Sequence, residues 1–136
     1  MVKHWLIVLT SALVSEVAIA DVFKCDHGML TRVRTEGSSV KQLGPAPNSG
    51  QYELEISNWK KNSIGFTEIV KGKRFEGSIP AEVSEGIYRA DHTIKKGNTI
   101  STTNIEFNVH SKKALIVYTL TKGKISIRST FDGYCE

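Results

Sequence analysis

The sequence predicts an all-β protein: a small antiparallel up-and-down barrel of about eight strands, with the first and last strands tied by a disulfide. Short runs alternate apolar with polar residues and are broken by Gly, Asn, Ser and Lys, with almost no helical periodicity. Residues 114–131 read as a hairpin: a run rich in Leu, Ile, Val and Tyr, a Lys122-Gly123 turn, then an alternating run. With a two-residue loop, Leu120 faces Ile125, Tyr118 faces Ile127 and Ile116 faces Ser129, leaving Ser126, Arg128 and Thr130 to water. A loop one residue longer would pair Leu120 with Lys124; apolar matching favours the shorter loop. Finally, the only two cysteines, Cys25 and Cys135, lie near the beginning and end of the region that forms these strands.

Residues 1–20 read as a secretory signal peptide. Lys3 precedes an apolar run, and Ala18-Ile19-Ala20 supplies the small-residue cleavage pattern before Asp21. The run is about ten residues, too short for a spanning helix, which needs about twenty. Residues 21–136 are then one domain, periplasmic or secreted, with no transmembrane anchor after processing. In an oxidising compartment the two thiols are expected to pair.

Along that domain, a strand begins at Val22, kinks at Asp26-His27-Gly28 and resumes over 29–35, where Met29, Thr31 and Val33 share a face. Residues 36–50 contain Gly-Pro-Ala-Pro-Asn-Ser-Gly and read as a long loop. A strand over 51–59 turns Tyr52, Leu54 and Ile56 inward and Glu53 and Glu55 outward; strands over 64–70 and 74–79 follow. Pro80 near its start and Gly86 at its end mark one helical turn. Strands over 87–94, with Tyr88, Ala90, His92 and Ile94 on one face, and over 99–109, with Ile105, Phe107 and Val109 inward, lead to the final hairpin. Tyr52, Phe66, Phe107 and Tyr118 are expected to fill the interior.

The formal charge is +4 and survives removal of the signal, which carries one Lys and one Glu. This is milder than the dense basic patch with stacking aromatics of a nucleic-acid binder. In a meander, alternate turns share an end, which gathers Lys71, Lys73, Arg74, Lys95, Lys96, Lys122 and Lys124 into a rim suited to an anionic surface or protein partner. Trp59, at a strand end beside Lys60 and Lys61, reads as a plug of the barrel end in preference to a partner contact.

No nucleophile elbow, paired-thiol motif or phosphate-binding glycine loop is present. His27, His92 and His110 lack ligand spacing for a metal. These observations point to a non-catalytic binding protein without metal or cofactor, engaging an anionic envelope component or a protein. A carrier of a small apolar ligand is the alternative if the interior is hollow.

Phe23-Lys24-Cys25-Asp26-His27-Gly28 near the start and Gly133-Tyr134-Cys135 near the end resemble the exported lysozyme inhibitors of the MliC type. The resemblance covers only these two ends. It implies a compact β-barrel that inserts loop residues into a lysozyme cleft, with Ser84 and Tyr88, in Ser84-Glu85-Gly86-Ile87-Tyr88, as contact residues.

Overall fold

The structure, a computed structural model, describes residues 19–47 and 52–136. Most of the signal segment lies outside the described residues, as do the last residues of the expected 36–50 loop. Ten strands form one antiparallel sheet curled into a half-barrel: β1 (Ala20–Cys25), β2 (His27–Glu36), β3 (Ser39–Pro47), β4 (Tyr52–Ser57), β5 (Ser63–Val70), β6 (Lys73–Ser84), β7 (Ile87–Lys96), β8 (Thr99–Asn108), β9 (Lys113–Lys122) and β10 (Ile125–Tyr134).

Their order is β1-β4-β5-β6-β7-β8-β9-β10-β2-β3. The run from β4 to β10 is the expected meander, but β1 and β2 lie at opposite ends of the sheet. Only Asp26 separates them in sequence, so the sheet must curl to bring those ends together. Cys25 and Cys135, 110 residues apart, are joined by a disulfide at that meeting point. Lys24 and Glu136 exchange backbone hydrogen bonds of 2.6 and 2.9 Å beside it, and the Cys135 N–H donates to the Lys112 carbonyl at 2.8 Å. The expected tie between the first and last strands is present.

Alternation along the strands builds one dry region on the concave face. Phe107, Phe131, Leu54, Ile64 and Ile116 are fully buried there with both half-cystines. Across the curl, Phe23 of β1 meets Phe107 of β8 edge to face at 4.9 Å, and the Lys112 ammonium sits 4.6 Å from the Phe23 ring centre.

Four sequence expectations are corrected. Ten strands replace about eight, in part because residues 39–47 form β3 and not a loop. Pro45 and Pro47 are tolerated because β3 is an edge strand, paired among the described residues with β2 alone. The helical turn at 80–86 is absent: β6 runs on to Ser84, and Glu85-Gly86, both at positive φ, make a type I′ turn into β7.

The last hairpin is slipped by two residues, pairing Leu120 with Ile127, Tyr118 with Ser129 and Ile116 with Phe131. Its loop is Gly123-Lys124, with the positive φ (59°) on Gly123, the pattern of a type II′ turn that needs glycine first. A slip of two keeps every side chain on its expected face and matches Ile116 with Phe131, both buried. Lastly, the interior is only half filled. Tyr52 and Phe107 are buried, whereas Phe66 and Tyr118 are half-buried and line an open cleft.

Candidate functional site

Register divides the basic residues between the two faces. The turns Lys71-Gly72, Gly97-Asn98 and Gly123-Lys124 do lie along one edge of the meander, joined by Gly37-Ser38, whose Gly37 N–H reaches the Lys124 carbonyl at 3.4 Å. Lys73 is opposite Val70, Lys96 opposite Thr99, and Thr99 opposite Lys122. All three lysines therefore follow the concave alternation, which continues into the buried positions Ile79, Ala90 and Ile116. Lys95 falls on the convex alternation, while Lys71 and Lys124 are turn residues.

Arg74 is also convex, and its charge is already matched. Its guanidinium donates two hydrogen bonds to Glu53, at 2.9 and 3.1 Å, and one to Glu76 at 3.3 Å. This contact holds the Glu53 carboxyl below its usual range.

The sequence reading missed three further cations. β10 pairs Ser129 with Arg32 and Ile127 with Arg34, so Arg32 and Arg34 face the concave side while Met29, Thr31 and Val33 face out. Lys41 of β3 lies directly opposite Arg34. Arg32, Arg34 and Lys41 line one hollow of about 240 Å³ with Leu43 and Ile127. Like charges directly opposite on neighbouring strands repel, and the Arg34–Glu36 contact at 3.5 Å is exposed and offsets little. The hollow therefore carries positive charge that its neighbours do not balance.

A second opening lies on the same face. The β5–β6 ladder runs from Val70↔Lys73 to Ser63↔Pro80, but the β6–β7 ladder begins only at Ala81↔Ala90. Pro80 supplies the reason. Adjacent residues of a strand direct their N–H groups to opposite neighbours, and Ala81 donates toward the β5 side, to the Asn62 carbonyl at 2.9 Å. The donor that Pro80 lacks is the one that would have reached β7. Beyond this point β6 and β7 part, leaving a cleft of about 450 Å³ lined by Phe66, Glu68, Phe75, Gly77, Ile79, His92, Ile94 and Tyr118 among others. Phe75 and Ile94 are 59% and 53% exposed although both follow the concave alternation.

Arg32 of the hollow and Glu68 of the cleft lie within electrostatic reach of one another. Arg32 donates through Nε to Ser129 Oγ at 3.2 Å and lies close enough to Glu68 and Tyr52 to favour their anions. Burial nevertheless dominates at all three acids nearby. It pushes Glu68 up, pushes Tyr118 up with help from Glu68, and pushes Tyr52 up to about 12 with help from Glu68.

For Tyr52 the folded value exceeds the ordinary value of 10, so its contribution is fully present below pH 10 and is lost as pH rises toward about 12. Denaturant titrations of the wild type are expected to lose stability on the order of 2 kcal/mol more than Tyr52→Phe across that window. Parallel losses in both proteins would contradict this assignment.

The remaining expected site residues stand apart. Trp59 lies in the β4–β5 connection, 52% exposed, and is not a plug; outside the strand, alternation does not carry it inward. It borders a convex groove of about 250 Å³ with Glu55, Gly65 and Glu76. Ser84 and Tyr88 flank the Glu85-Gly86 turn, on the edge opposite the lysine turns; Ser84 is exposed and Tyr88 packs against the core. Tyr88 follows the concave alternation, opposite Phe107, but at the far end of β7 from Lys96; Ser84 does not share that alternation. Comparison with protein families, curated proteins and solved structures finds no significant match to this chain.

Proposed function

We propose that this is an exported, non-catalytic binding protein whose concave face takes an anionic partner in the periplasm or outside the cell. The carrying observation is the register that sets Arg32, Arg34, Lys41, Lys73, Lys96 and Lys122 on that face. Across the described strands the acids on the same alternation are three, against six cations: Asp21 of β1, opposite Ile56; Glu36, in an exposed contact with Arg34; and Glu68, whose carboxyl burial pushes toward neutrality. A concave wall of one sign focuses its field and raises the local concentration of an oppositely charged ligand. The Cys25–Cys135 bridge fits an oxidising, non-cytoplasmic compartment and supports the export part of the reading.

The test uses the chain processed at Asp21 and two probes, a short inorganic polyphosphate and an alkyl phosphate below its micelle-forming concentration. Both are expected to bind at low ionic strength and to weaken as salt shortens the Debye length from about 8 Å near physiological strength to about 3 Å at 1 M. Absence of binding by both probes at low salt, or binding indifferent to salt, would overturn the reading.

A further inference from the structure

Resting on that reading, we infer that the ligand class is a single-chain anionic amphiphile, with its head group on Arg32, Arg34 and Lys41 and its hydrocarbon tail in the cleft between β6 and β7. The head site has cations in excess and two of them in direct cross-strand opposition. The tail site is more apolar than polar, although Glu68, Glu76 and His92 also line it: Phe75 and Ile94 are large, exposed and turned toward the lumen, surface that a folded chain ordinarily hides. At about 450 Å³ the cleft lies within the range of small-molecule sites.

Two residues shape it. Pro80 ends the β6–β7 ladder, and Gly77, on the concave alternation, omits a side chain where a Cβ would meet nothing within 4 Å. The room at Gly77 lies in the cleft itself. Arg32 lines the head site and Glu68 the tail site, both follow the concave alternation, and Arg32 lies close enough to Glu68 to favour its anion. Charge complementarity on one side and apolar lining on the other select an amphiphile over a plain polyanion or a plain hydrocarbon. The separated edges of β6 and β7 also offer backbone groups to an extended peptide. Phe75, Ile79 and Ile94 on those edges favour a tail.

The experiment is a calorimetric series with hexyl, octyl, decyl and dodecyl phosphate, all as monomers, beside the polyphosphate. Affinity is expected to rise about fourfold per added methylene until the cleft is full. Gly77→Leu fills the cleft, and Phe75→Gln makes its wall polar without adding charge. Each is expected to abolish the chain-length dependence while leaving polyphosphate binding within about twofold, and circular dichroism checks the fold. A flat series with polyphosphate still bound would overturn the tail site and leave the anion-binding reading standing. Failure of both probes would remove that reading as well. Chain-length dependence that persists in both variants would also overturn the assignment of the tail to the cleft. So would an acidic strand-length peptide that binds more tightly than dodecyl phosphate.

Discussion

Removing the disulfide is expected to lower stability by about 4–5 kcal/mol, measured as the difference in unfolding free energy between the wild type and Cys25→Ser/Cys135→Ser in denaturant titrations. The bridge closes a loop spanning 110 positions, close to the whole domain, so it removes a large share of the unfolded chain's freedom. Its place adds to this. Each strand of the meander from β4 to β10 pairs with the next, though β6 and β7 only from Ala81↔Ala90 to Ser84↔Ile87, whereas β1 meets the C-terminal residues through the two Lys24–Glu136 bonds and the sulfurs, with no ladder between them. Without the bridge, β1 is expected to exchange amide hydrogens before β8 and β9. A double variant within about 1 kcal/mol of the wild type would show that the curl closes without the bridge.

Phe107→Ala is expected to cost about 3–5 kcal/mol. The ring is fully buried beneath Phe23, so its loss removes transferred apolar surface, leaves a cavity, and deletes an edge-to-face pair that spans the curl. Because Phe23 belongs to β1 and Phe107 to β8, this contact and the disulfide pin the same strand. Their combined loss should therefore depart from additivity. The comparison is Phe75→Ala. That ring is of the same type and on the same concave alternation but more than half exposed, and its loss is expected to change stability by no more than about 0.5 kcal/mol. Equal losses at the two positions would mean that the cleft is not open in solution.

Much of this was legible in the sequence. The alternation in Tyr52-Glu53-Leu54 and in Ile105-Glu106-Phe107 names its own buried face, because inside and outside differ in polarity there. It fails in β2, where Thr31, Arg32, Val33, Arg34 and Thr35 alternate just as regularly. The convention that apolar residues point inward selects Val33, yet the concave face here is open and its arginines are the ones facing the lumen. A pattern of period two fixes which residues share a face, and only the partners of β2 say which face is which.

Pro80 misled for a related reason. Its missing donor suits the first turn of a helix and also the border of a split sheet, and the local sequence does not separate the two. Residues 39–47 read as a loop because prolines are excluded from central strands, and β3 escapes that exclusion by having a single neighbour. The position of β1 beside β4 has no local signature at all, since it follows from the way the whole sheet closes.

The proposed site consists of cations gathered on one face, so the most direct measurement compares two triple charge reversals of equal net charge for binding of dodecyl phosphate at physiological salt. One variant, Arg34→Glu/Lys41→Glu/Lys122→Glu, lies on the concave alternation; the other, Lys95→Glu/Lys113→Glu/Arg128→Glu, lies on the convex one. The concave variant is expected to weaken binding on the order of tenfold to a hundredfold, and the convex variant to stay within about twofold of the wild type. Equal losses in the two variants would show that overall charge and not the concave face governs binding, and would contradict the account.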